Sequence, residues 1–370
     1  MTRGLFVLTM LLMAGSSGLR AHEWHSSEQM ARAARALLDT LGPEQREVAQ
    51  FAFEAEERTR WSNLPILMVP PSGLLLKDMN DAQRAATQAL LRASLSSQGY
   101  AKFVGVMRLE VLLHEAARAR FQGEPTGPQQ AFIATRDPNK YAVAIFGEPG
   151  SEHWGWQFSG HHGAANFTVH EGRVGFTPTF LGSSPRRVET GPFAGSMALP
   201  HKADRGLELM QALSQEQQST AQVSEDLPDG IFEGPGRKAS LEAYEGLQAS
   251  ELNADQRRLL RALIEEYVRN ADFDAADAQL VAIEAAGWDQ LWFSWRGPIA
   301  ADGRFYYRVH GPRLLIEYNL VDENHDHSIV RDPSNDYGAD WLGQHYEEHH
   351  PSQEEIRAGV QERMGIGGQN

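Results

Sequence analysis

Two stretches of this chain bring histidines together at spacings that suit a metal ion: Gly160-His161-His162-Gly163 and Asn324-His325-Asp326-His327-Ser328. In an extended segment, residues two apart share a side. His325 and His327 would therefore present both imidazoles in chelating geometry, with Asp326 facing away. His161 and His162 are adjacent, so a continuous strand would send them to opposite faces unless a bulge at Gly160 or Gly163 re-aims one. Neutral imidazole suits zinc, copper, nickel or iron. With no cysteine in the chain, a soft-metal site must use histidine, carboxylate or methionine. The expected site joins His325 and His327 to His161 or His162. Glu317, on an apolar strand just upstream, is read as a ligand or general base. Arg331 is read as the group that orients an anionic substrate or pairs with Asp332. Three protein ligands and an open position would make the site catalytic; a closed set would make it structural.

The remaining histidines carry less. His345, His349 and His350 flank Glu347 and Glu348 and read as a solvated helix end. His114, His153, His170, His201 and His310 stand singly. No G-x-S-x-G elbow, P-loop, dinucleotide fingerprint or H-E-x-x-H is present.

Composition narrows the setting. The 370 residues carry 34 Lys and Arg against 49 Asp and Glu, a net charge of −15, so no basic field exists to hold nucleic acid or an anionic membrane. Apolar content of 41% supports a large core. Residues 1–21 read as a secretory signal: Arg3, then the apolar run Leu5 to Ala14, then Leu19-Arg20-Ala21. The run is too short to span a bilayer, and no later run reaches that length. The expected location is a periplasm or the outside of the cell. Cleavage after Ala21 would leave His22 at the amino terminus, where amine and imidazole can chelate copper.

The elements that must position the histidines follow from the pattern. Helices are expected over Glu28–Leu41, Pro43–Arg60, Asp81–Leu95, Ala101–Phe121, Ala203–Thr220, Asn253–Val268 and Ala275–Ala286, with Asn80 and Asn253 as N-caps. Strands are expected over Tyr141–Phe146, along the aromatic run from Trp154 to Asn166, and over Val174–Leu181 after a Glu171-Gly172 turn. Further strands are expected over Leu291–Arg296, Arg304–Val309 and Leu314–Leu320. Gly123–Gln130 and Gln222–Lys238 read as loops, and the tail from Asp340 as mostly helical. The stripe Trp154, Trp156, Phe158 reads as core. The sum is an α+β fold: one large domain, residues 22–370, with an antiparallel or mixed sheet and flanking helices.

Two spans, 79–181 and 252–337, look like copies. Asn80-Asp81-Ala82-Gln83-Arg84 matches Asn253-Ala254-Asp255-Gln256-Arg257, and aligning Gly160 with Gly311 sets His162 opposite Arg313 and Asn166 opposite Glu317. The blocks FGEPG, WGWQFSGHHGAANFTV, TPTFLG, RVHGPRLLIEYN and NHDHSIVRDPSNDYG, with His345-Tyr346, resemble the domain-of-unknown-function family numbered 3500. The likeness runs from about Trp61 to Tyr346, and the GHH and HxHS blocks are specific to it. It implies one continuous domain and exported relatives, but no substrate. The expected function is that of an exported divalent-metal enzyme, hydrolytic in type, using zinc or copper on a small molecule. The alternatives are a protein that binds or delivers copper, zinc or nickel, and a metal-free small-ligand binder.

Overall fold

The structure is a computed structural model that describes residues 18–65, 68–237, 241, 243–300 and 303–343, with backbone alone for 18–25. The signal stretch up to residue 17, the His22 side chain, and His345, His349 and His350 lie outside the described residues. The first half runs α1 (Gly18–Asp39), α2 (Pro43–Ala49), β1 (Gln50–Phe51), β2 (Leu74–Leu75), α3 (Asp81–Ser94), α4 (Ser97–Ala119) and α5 (Gly127–Ala134). It continues through β3 (Ala142–Gly147), β4 (His153–Gly160), β5 (Gly163–His170), β6 (Arg173–Gly175) and β7 (Thr179–Ser183). The second half runs α6 (Pro200–Ala212), α7 (Gln215–Ala221), β8 (Gln222–Ser224), β9 (Leu247–Gln248), α8 (Ala254–Val268) and α9 (Phe273–Ala286). It closes with β10 (Trp292–Arg296), β11 (Tyr306–Gly311), β12 (Leu314–Asp322) and β13 (His325–Arg331).

All the strands join one mixed sheet whose main path reads β1-β3-β4-β5-β7-β13-β12-β11-β10-β8. The order is the same from either end, with antiparallel β7 and β13 at the centre. Local bonds repeat across the two halves. Gln83 donates to Thr40 O and Gln45 Oε1, as Gln256 does to Ala212 O and Gln217 Oε1. Gln50 donates to Gly147 O, as Gln222 does to Gly297 O. Asn80 and Asn253 cap α3 and α8 through side-chain oxygens, each with a glutamine three residues on that bonds back. Gly160 and Gly311 occupy matching places, each ending the strand before a two-residue turn. The matching elements extend back to α1 and α6, well before Asn80 and Asn253.

Alternation gives the sheet two faces. Trp154, Trp156, Phe158, Phe167, Ile316, Tyr318 and Val330 pack against the helices in the main core, so the aromatic stripe is core. The opposite face holds Ala164, Phe180 and Ile329, covered by Trp61, Ile231 and Tyr337 from connecting segments. Several expectations need correction. The helix over 43–60 stops at Ala49, because Gln50 and Phe51 pair parallel with Ile145 and Phe146. The loop over 123–130 yields to α5, capped at Thr126 and started through Pro128. The helix over 203–220 breaks at Leu213-Ser214, where Ser214 caps a new helix. The strand over 174–181 is two strands, β6 and β7.

Candidate metal centre

The aromatic run is not one strand. It turns at His161-His162, between the paired residues Gly160 and Gly163, so neither histidine obeys the strand alternation expected of it. His162 takes φ of 63°, a left-handed conformation uncommon outside glycine. Backbone bonds hold it there: its N–H donates to Asn63 O at 3.2 Å, and its carbonyl accepts from Gly182 N at 2.8 Å. The Tyr141 hydroxyl donates to the carbonyl of His161. The Tyr141 ring lies against Gly160, where an added Cβ would come within 2.7 Å of it. The two imidazoles therefore stand side by side, centroids 3.8 Å apart.

Helix α4 supplies the partner that orients them. Glu110, 1% exposed, places Oε1 2.7 Å from His162 Nδ1 and Oε2 2.7 Å from His161 Nδ1. With Glu110 ionised its oxygens only accept, so each Nδ1 would carry the proton and each Nε2 would keep a lone pair. Burial raises the Glu110 carboxyl from its ordinary value; the His161 hydrogen bond and the charges of His161, Arg136 and His325 oppose that.

The lone pair of His162 points at β13. His162 Nε2 lies 3.0 Å from His325 Nε2, which lies 2.9 Å from His327 Nε2. The His325 and His327 rings stand at 89° to each other and the His162 and His325 rings at 70°. His325 and His327 share one face of β13 while Asp326 faces the other, as the two-residue spacing requires. Three ring nitrogens thus converge from different directions, as ligands of one ion do. Burial, reinforced by the neighbouring histidines, holds His162 and His327 well below the usual imidazole value. Burial also lowers His325, and Asp322 opposes it. The neutral ring is the form that binds a metal. Gly182 of β7 makes the space: a Cβ there would sit 2.7 Å from His327 Cδ2 and 3.2 Å from His162 Cδ2.

Of the residues singled out in the sequence, His162, His325 and His327 come together, with His161 beside them on Glu110. A second potential ligand group, Glu110, His161 and His162, shares His162 with the first. Glu317 and Arg331 do not join them. The buried Glu317 carboxylate accepts from Phe232 N and Glu233 N, both at 2.8 Å, and from Tyr306 Oη at 2.7 Å. Arg331 spends its guanidinium on the carbonyls of Glu233, Gly234 and Arg237 and on Asp336. Both brace the segment around residues 232–237. Asp332 pairs with Arg313 instead. His153 and His170 are not single: their Nδ1 atoms lie 2.8 Å apart. Sequence reasoning missed Glu110, although a signal existed. Phe103, Val106, Glu110 and Ala117 share the buried face of α4, so an acid stands where the helical period asks for an apolar residue.

Fold and site define an α+β protein of a single domain, with a buried carboxylate behind a cluster of histidines able to hold a metal ion. The chain belongs to the family described as protein of unknown function (DUF3500), whose family model matches residues 23–339. No curated protein and no solved structure matches it.

Proposed function

We propose that the protein is a metal-dependent hydrolytic enzyme whose ion is held by His162, His325 and His327. The observation that carries this is the convergence of three Nε2 atoms within 3.0 Å of their neighbours, two from one strand and one from a turn of another. Glu110 supports it, since a metal-binding histidine commonly gives its other N–H to a carboxylate that sets tautomer and ring orientation. Three protein ligands with side access past His325, whose side chain is 23% exposed, suit an open catalytic position rather than a closed structural set. Such an ion would lower the pKa of a bound water toward about 7 and polarise a carbonyl or phosphoryl oxygen. His161, hydrogen bonded to Glu110 beside the site, completes the polar wall. In this reading the chain is exported and acts on a small molecule, and zinc or copper is the ion. The test is hydrolysis of ester, amide and phosphoester panels by zinc-loaded protein. Activity that disappears in His325→Ala and in chelator, and returns with zinc, supports the reading. A fully loaded protein inert on every panel would oppose it.

A further inference from the structure

Two buried charges of the sheet are spent on holding a stretch that has no regular structure. Glu317 and Arg331 are 0% and 3% exposed. Glu317 accepts from Phe232 N and Glu233 N, both at 2.8 Å. Arg331 donates to the carbonyls of Glu233 at 2.8 Å, Gly234 at 3.2 Å and Arg237 at 3.0 Å. On the same sheet face the buried Asn319 amide donates to Pro228 O at 3.3 Å. Burying a charge is costly unless its hydrogen bonds are met. Here they are met by the backbone of one segment, as a supporting layer fixes the wall of a binding site.

That segment walls a cavity. A hollow of about 330 Å³ lies between residues 226–232, Arg237 and Arg296 of β10. Small-ligand pockets start at about that size. None of the four histidines of the candidate metal centre lines it. Its apolar wall is the Phe232 ring, set edge-on to Tyr306 with centroids 5.5 Å apart. The Arg296 guanidinium lies 5.7 Å from the Phe232 centroid. Charges of both signs line the rest. Arg296 shares Glu245 Oε2 with Arg308, which holds it more closely, at 2.7 Å against 3.3 Å. Among the described residues, Arg237 has no carboxylate and Asp226 and Asp229 have no cation within ion-pair distance. Opposite charges thus line one cavity without neutralising each other.

We propose that this cavity binds a small zwitterion, a free α-amino acid with an apolar side chain. Its carboxylate sits on Arg237 and Arg296, its ammonium on Asp229 and Asp226, and its side chain on Phe232. A guanidinium takes a carboxylate in a two-point contact, and an ammonium offers three donors to carboxylate oxygens. A ligand with one sign of charge would leave the opposite groups of the cavity unmatched. The site is separate from the histidines and does not depend on the metal they would hold.

The test titrates L-leucine, L-methionine and L-phenylalanine into the full chain by calorimetry. The best of them is then compared with its N-acetyl form, which lacks the ammonium, and its amide, which lacks the carboxylate. The same amino acid is titrated into Arg237→Gln and into the double variant Asp226→Asn, Asp229→Asn, with melting temperature and zinc uptake read on each sample. Wild type should bind at least one of the three, and either analogue should bind about tenfold or more weakly, since each loses a charged contact. Both variants should weaken the amino acid by a similar factor while melting and taking up zinc as the wild type does. Should a variant melt early, the two analogues on wild type decide alone. No binding of any of the three amino acids overturns the proposal. So do analogues that bind as tightly as the parent, and so does an intact Arg237→Gln that binds as the wild type does. Failure to take up zinc bears on the metal centre and leaves this result standing.

Discussion

At the scale of single residues, the site turns on Glu110. Its two oxygens set the tautomers of His161 and His162. Glu110→Gln can accept from one ring only through its single carbonyl oxygen. We expect metal affinity to fall about 10–100-fold, read by competition with a chromophoric chelator. Glu317 makes the opposite prediction. Removing its carboxylate in Glu317→Ala strands two backbone N–H groups and the Tyr306 hydroxyl in the interior. Each costs about 1–3 kcal/mol, so denaturant melts should show a loss of at least about 3 kcal/mol with metal stoichiometry unchanged. A normal melt with lost metal would reverse the assignment. His310 gives a pH prediction. Burial, with Arg308 nearby, lowers its pKa from 6.5 to about 4, and its Nδ1 has no partner among the described residues. Below the unfolded value the unfolded chain takes a proton that the folded chain refuses. Stability should therefore fall as pH drops from about 6.5 to 4, by an amount on the order of 3 kcal/mol. His310→Gln should flatten that part of the stability curve, and an unchanged slope would show that other groups set it.

At the scale of elements, the outcome depended on where local signals were decisive. The two-residue spacing of His325 and His327 carried their shared face directly into β13, because strand period is a local property. The spacing of His161 and His162 did not, because Gly160 and Gly163 mark a turn rather than a bulge. What distinguishes the two is long-range: Asn63, Gly182 and Tyr141 hold the turn from three other segments. The same reason hid the fates of Glu317 and Arg331. Both lie on strands near the histidines in sequence, yet each also bonds backbone groups of a segment some 84–98 residues away. Glu110 was hidden because the period of α4 shows that an acid is buried but not what it meets. Gly182 is the element-scale test. A Cβ there would sit 2.7 Å from His327 Cδ2 and 2.9 Å from Asp326 O. Gly182→Ala should displace the His327 ring and cut metal affinity at least tenfold while the helical circular dichroism stays. Full affinity in that variant would show that the ring has room to spare.

At the scale of the whole molecule, the sheet reads the same from both ends but the chemistry does not. Where the first half has His161 and His162 in its turn, the second has Pro312 and Arg313, and Arg313 is tied to Asp332. The cluster therefore takes His161 and His162 from the first half and His325 and His327 from β13 of the central pair. Among the described residues no helix is long and apolar enough to cross a membrane. The Arg3-to-Ala21 pattern motivates export: mass spectrometry of the exported form should show loss of about 21 residues, and an intact Met1 chain confined to the cytoplasm would rule it out. The central question is whether the chain holds a metal through three histidines. The most direct measurement is elemental analysis of the purified full chain, loaded with zinc or copper and dialysed, beside His327→Ala. About one ion per chain is expected in the wild type and nearly none in a folded His327→Ala. A wild type that retains no metal, or a variant that retains as much as the wild type, would contradict it.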